Sequence, residues 1–207
     1  MVNKESILKA LQELRKEEKR KFSQTTDLII NLKNFDIKRD NLNLVIELPY
    51  KIKDKKICGF LTKKSELLDT ITQPEFDRYK GKELKKLVNK YDSFISFSAL
   101  MPSVATSFGK ILGPAGKMPN PKLGMLMKED DKTIREILEK VNKSIKIASK
   151  QPSLKVSVGK EDMKDEEIAE NILTVYRAVF DALPRKKEQV KSVLIKFTMT
   201  KPLKLEI

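Results

Sequence analysis

The two ends of this chain carry complementary halves of one domain, and neither half suffices alone. Residues 3–21 read as an amphipathic helix, with Ile7, Leu8, Leu11 and Leu14 on one face and Lys/Glu pairs on the other. Two strand patterns follow, DLIINLKNF (27–35) and NLNLVIELP (41–49), and the turn DIKRDN between them predicts an antiparallel pair. At the far end, SLKVSVG (153–159) predicts a strand and 165–183 a helix carrying Ile168, Ile172, Val175, Val179 and Leu183. KSVLIKFTM (191–199) predicts a second strand. A helix and a hairpin cannot hide a sheet face, nor can two strands and a helix. Joined, they make a two-layer α+β domain.

The middle alternates differently. KICGFL (56–61), SFISFSA (93–99) and SIKIAS (144–149) read as strands, interleaved with helices over 63–70, 82–90, 102–110 and 132–142. Such alternation predicts an open α/β sheet with helices on both faces. The expected organisation is therefore a discontinuous α+β domain, 1–56 with 152–207, and an inserted α/β domain, 57–151. The two connections joining them form a natural hinge.

Charge and composition narrow the function. Lys and Arg number 43 against 29 Asp and Glu, a net +14, which favours a polyanionic partner. The excess is +7 in the two flanks together and +7 in the middle, so it locates no patch. The chain has no histidine and one cysteine, Cys58, which excludes Ser-His-Asp and Cys-His chemistry, the usual zinc sites and any internal disulfide. Cys58 reads as a small buried apolar residue. The acidic run at 128–132 reads as a solvated helix start. No apolar run approaches the roughly 18 residues of a membrane span, and the N-terminus is charged throughout, so a soluble, unexported, cytoplasmic protein with no membrane partner is expected. Binding is expected rather than catalysis, with no cofactor.

Three stretches are candidates for that binding. LGPAGKMPNPK (112–122) concentrates Gly113, Gly116, Pro114, Pro119 and Pro121. It is no P-loop, because Ile111 stands five residues before Gly116 and Met118 follows Lys117. Its prolines and glycines define one shape, either as a docking surface or as a compact connection. KRKFSQTTD (19–27) combines basic residues, Phe22 and hydroxyls: lysines suit phosphates, Phe22 either stacks on a base or closes a core corner, and Thr25 suits a 2′-hydroxyl. In SVLIKFTMTKP (192–202), Ser192, Lys196 and Thr198 share a face by alternation, and Thr198, Met199 and Thr200 lie where the strand meets a turn. The runs KIKDKK (51–56) and KGKELKK (80–86) read as solvated surface.

Four segments together resemble the family of universal large-subunit ribosomal protein one, in its archaeal form. They are RKFSQTTDLIINLKNFD, ILGPAGKMPNPK with GML after it, VSVGKEDMKDEEIAENI, and KSVLIKFTMTKP, in the family's order from residue 20 to 202. The resemblance implies a discontinuous α+β first domain that binds the stalk region of large-subunit ribosomal RNA, and an inserted Rossmann-like α/β domain. It implies a monomer within the ribosome that assists departure of deacylated tRNA from the exit site, and a capacity to repress translation by binding its own messenger RNA. Residue by residue, it implies RNA contacts at Phe22, Thr25, Asp27, Ser192, Thr198 and Met199, with Lys21 adding phosphate attraction. Thr200, also expected to make contact, stands where the family usually has glycine, and the Ala-Gly-Lys of the Gly/Pro loop replaces an arginine-containing form. The rival readings are an α/β enzyme or binding module for a phosphorylated ligand, and nonspecific nucleic-acid packing.

Overall fold

The computed structural model describes residues 3–17, 20–36, 42–79, 81–121, 123–149 and 151–205. In chain order its elements are α1 (Lys4–Arg15), β1 (Thr25–Leu32), β2 (Asn43–Glu47), β3 (Ile57–Phe60), β4 (Asp69–Ile71), α2 (Lys82–Lys90), β5 (Ser93–Phe97) and α3 (Met101–Leu112). Then come β6 (Met125–Leu126), α4 (Asp131–Lys143), β7 (Ser144–Ala148), β8 (Ser153–Lys160), α5 (Asp165–Ala182), β9 (Val190–Phe197) and β10 (Leu203–Leu205). They divide into two units, Met1–Ile52 with Lys143–Ile207, and Lys53–Asn142. The second junction thus falls after Asn142 rather than near 151. The reason is β7, which pairs antiparallel with β2, from Asn43 opposite Ala148 to Glu47 opposite Ser144, and so joins the first unit.

In the first unit β1 is an inner strand. It pairs antiparallel with β8 on one side and β9 on the other, and β10 extends the sheet to the order β10-β9-β1-β8. The hairpin expected between 27–35 and 41–49 does not form, because both edges of β1 are occupied by strands from the far end of the chain. Alternation fixes which face of a strand is buried but not which strand lies beside it. Residues 37–41 of the expected turn, and Glu18 and Lys19 of the expected first helix, lie outside the described residues; α1 itself ends at Arg15.

Every second residue of β1 (Thr26, Leu28, Ile30, Leu32) faces inward, as do Val193, Ile195 and Phe197 of β9. The apolar stripes of α1 (Ile7, Leu11, Leu14) and α5 (Ile168, Ile172, Val175, Val179) cover them. Each such side chain contributes about 1.5–3 kcal/mol of apolar burial. Arg15 closes the end of α1 onto α5, its Nε donating to Asp165 Oδ1 at 2.7 Å and its Nη2 to the Met163 carbonyl at 2.8 Å.

Thr26 breaks the pattern. It is fully buried, and its Oγ1 has no hydrogen-bond partner among the described residues. An unpaired buried hydroxyl costs about 1–3 kcal/mol, and valine keeps the same shape without it. Thr26→Val is therefore expected to stabilise the protein by about 1 kcal/mol, read as a higher urea midpoint at unchanged slope.

The second unit has a parallel sheet in the order β4-β3-β5-β6. On one face α2 and α3 pack with Phe60, Phe76, Phe94 and Phe108, whose rings stack or meet edge to face at centroid distances of 4.9–5.7 Å. On the other, Ile134 and Val141 of α4 pack against Ile57, Leu61, Ile95 and Leu126. The helix expected over 63–70 is absent. Turns lead there into β4, which pairs with β3 for three residues, too short a run for periodicity to show. Cys58 is buried in β3, and burial, with Asp69 nearby, pushes its thiol up to about 12.

The Gly/Pro stretch is a brace within this unit. Beyond α3, the Lys117 N–H donates to the Leu112 carbonyl (3.0 Å) and the Gly116 N–H to that of Gly113 (2.9 Å). This paired closure needs a left-handed residue, and Gly116 supplies it at φ +70°. Lys117 Nζ then donates to the carbonyls of Val88 (2.7 Å) and Tyr91 (2.8 Å), capping the end of α2. Gly124 ends the stretch against β5, accepting from the Ser96 N–H at 2.8 Å. Of the two readings left open by the sequence, these bonds favour the compact connection.

Candidate nucleic-acid interface

The face of the first unit's sheet turned away from α1 and α5 is set out in rows by strand register. Lys196, Asp27 and Ser157 form one row; Lys204, Leu194, Ile29 and Lys155 the next; Ser192, Asn31 and Ser153 the third. All are partly or fully exposed. Two hydrogen bonds fix side chains across strands: Asn31 Nδ2 donates to Ser192 Oγ at 3.0 Å, and Ser157 Oγ donates to Asp27 Oδ1 at 2.9 Å. Hydroxyls, an amide and a carboxylate surround an apolar centre, with lysines at the sides.

Because β1 and β9 are antiparallel neighbours, the start of one meets the end of the other. The Thr25 N–H donates to Thr198 Oγ1 at 3.1 Å, and the Thr198 hydroxyl donates back to the Thr25 carbonyl at 3.3 Å. Gln24, 2% exposed, accepts from the Met199 N–H through its side-chain oxygen at 3.1 Å. These bonds hold two large apolar side chains in the open at one corner, Phe22 at 52% exposure and Met199 at 59%.

The turn after β8 reaches the same corner. The Gln24 N–H donates to Glu161 Oε2 (3.2 Å), the Glu161 N–H to the Gln24 carbonyl (2.8 Å), and the Ser23 hydroxyl to the Asp162 carboxylate. Asp27, Glu161 and Asp162 thus stand among the cations of this face, Lys21, Lys155, Lys160, Lys196 and Lys204, which outnumber them. Among the described residues, no group of three acidic or thiol side chains is placed to hold a metal ion.

Of the residues singled out from sequence, Lys21, Phe22, Thr25, Asp27, Thr198 and Met199 come together here. Ser192 lies on the same face but two rows away, bonded to Asn31. Thr200 is a correction: it is 8% exposed, and its hydroxyl accepts from the Phe197 N–H at 2.9 Å, so it closes the turn and presents no side chain to a partner. Asn31, Ser157 and Gln24 escaped sequence reasoning. Parity with Asp27 along β1 marks Asn31, whereas Ser157 and Gln24 matter only through partners on other strands.

The elements that carry this corner belong to a known family, for residues 14–201 match the ribosomal protein L1p/L10e family. The chain belongs to that family. Among its relatives is the large ribosomal subunit protein uL1 of Pyrococcus abyssi, 35% identical, with 99% of this chain and 97% of the relative aligned. The uL1 protein of Methanothermococcus thermolithotrophicus is 36% identical over 99% of this chain and all of its own length. That of Nanoarchaeum equitans is 34% identical over 96% and 97%. Family membership makes this chain a protein of the large ribosomal subunit.

Proposed function

We propose that this ribosomal protein binds large-subunit ribosomal RNA in the mobile stalk region through the corner built on β1 and β9. The reading is carried by the Thr25–Thr198 junction, which brings two motifs separated by 173 residues into one surface. Phe22 stacks on a base, Met199 packs against a ribose, and the hydroxyls of Thr25 and Thr198 bond 2′-hydroxyls and backbone. Asp27, held by Ser157, accepts from a base or ribose donor. Ser192 with Asn31 extends the contact along the sheet, while Lys21 and Lys196 meet phosphates. As a monomer in the cytoplasmic ribosome, the protein assists release of deacylated tRNA from the exit site. A copy of the same RNA fold in its own messenger would make it a repressor of its own synthesis. Its role is binding, not catalysis.

The decisive side chain is the Thr198 hydroxyl. Thr198→Ala is expected to weaken binding of a stalk RNA fragment about tenfold, the effect of one hydrogen bond of roughly 1.4 kcal/mol, while Thr198→Ser stays near the parent. Equal affinity for all three proteins would remove Thr198 from the interface.

A further inference from the structure

The sequence distributes its positive charge evenly, but the fold of the second unit sorts it by layer. On one face of the parallel sheet, α2, α3 and the short 3-10 helix Gln73–Arg78 hold Lys82, Lys85, Lys86, Lys90, Lys110 and Arg78 against Glu75, Asp77 and Glu83, and on α2 itself four lysines face one acid. On the opposite face α4 is nearly balanced, with Lys132, Arg135, Lys140 and Lys143 against Asp131, Glu136 and Glu139.

Two of these lysines are already engaged in, or lie apart from, the main ridge. Lys90 donates to the Tyr91 hydroxyl at 2.8 Å and lies 3.6 Å from Asp69 Oδ2, and Lys110 sits on α3. Lys82, Lys85 and Lys86 are exposed, and no acid among the described residues pairs with them. At positions i, i+3 and i+4 they share one helix face. Lys117, from the Gly/Pro brace, caps the carbonyl end of the same helix, so the ridge has a fixed base.

We infer that this lysine ridge on α2 is a second RNA contact, one that takes the phosphate backbone of a duplex without reading its sequence. The partner class rests on the RNA reading above and on what the ridge lacks. The exposed positions of α2 are Lys82, Glu83, Lys85, Lys86, Asn89 and Lys90, with no aromatic or aliphatic side chain to enter a lipid surface. Unlike the corner on β1 and β9, where three carboxylates stand among the lysines, the exposed positions of α2 carry one, Glu83. Its binding therefore follows counterion release and weakens steeply with salt.

The test compares two triple reversals of equal net charge in the full-length chain. One is Lys82→Glu/Lys85→Glu/Lys86→Glu on α2; the other is Lys132→Glu/Arg135→Glu/Lys140→Glu on α4, all exposed positions. Affinity for a scrambled RNA duplex of about 30 base pairs is measured across a salt titration, with thermal unfolding to confirm that both variants fold. The α2 reversal is expected to lose more than about tenfold at 0.1 M salt and to lower the log–log salt slope by about 2 to 3, one unit per lost phosphate contact. The α4 reversal is expected to lose less than about threefold. Equal losses in the two variants would overturn the ridge, since charge would then act by its total and not its place. Should the α2 reversal fail to fold, single Lys82→Ala and Lys85→Ala variants replace it, each expected to lower the slope by about 1; an unchanged slope again overturns the proposal. Failure of the stalk RNA reading has a different mark, namely no preference of the parent protein for stalk RNA over this duplex.

Discussion

Phe22→Ala is expected to lose about tenfold to a hundredfold in affinity for a stalk RNA fragment, as stacking on one base contributes about 1–3 kcal/mol. The urea midpoint should stay where it is. The two halves of this expectation share one observation: Phe22 is 52% exposed and belongs to none of the hydrophobic clusters. Removing it opens no cavity, so the loss falls on binding alone. Phe22→Tyr keeps a ring and should bind nearly as the parent does. Filter binding beside urea unfolding separates the cases: a fallen midpoint with intact binding would make Phe22 a core corner after all.

Asn171→Ala is expected to destabilise the first unit by about 2–4 kcal/mol. Asn171 is fully buried in the middle of α5 and its amide is spent on backbone. Oδ1 accepts from the Tyr50 N–H at 3.1 Å, and Nδ2 donates to the Tyr50 carbonyl at 3.1 Å and to that of Val158 at 2.9 Å. Alanine would remove all three bonds, leaving the Val158 carbonyl and the Tyr50 backbone without this partner. At about 2–4 °C per kcal/mol for a chain of this size, the melting temperature should fall by roughly 4–16 °C. A fall under 1 °C in calorimetry would mean that the segment around Tyr50 is held by other contacts.

Asn171 also shows where sequence reading stops. Its neighbours Ile168, Ile172, Val175 and Val179 declare the buried stripe of α5 by spacing alone, and the same rule finds α1, α2 and α4. A polar residue inside such a stripe looks like a defect until its partners are in place, Tyr50 more than a hundred residues away and Val158 on the preceding strand. The strands behave alike. Alternation marks the face of β9 that carries Ser192, Lys196 and Thr198, but it cannot show that β1 lies between β8 and β9, nor that β7 belongs with β2. The error in the second junction follows from that. At the corner, Phe22, Thr25, Asp27, Thr198 and Met199 are brought together by the antiparallel register of β1 and β9, and each carries its own chemistry. Gln24 and Ser157 were not legible in the sequence, because they act through hydrogen bonds across strands. The Thr200 hydroxyl, apt for RNA by its chemistry, instead closes a turn by accepting from the Phe197 N–H. Even charge misled, for equal totals in two segments concealed a basic layer on one side of the second unit's sheet.

The proposed corner on β1 and β9 would recognise a particular RNA shape, with Asp27, Glu161 and Asp162 standing among its lysines. The most direct measurement is affinity for the stalk fragment of large-subunit ribosomal RNA and for a scrambled duplex of equal length, each across a salt titration. The expected result is binding of the stalk fragment at least about a hundredfold tighter, with the shallower salt dependence of a contact that neutralises few phosphates. Equal affinity for both RNAs, collapsing together as salt rises, would contradict it, because net charge would then account for all of the binding.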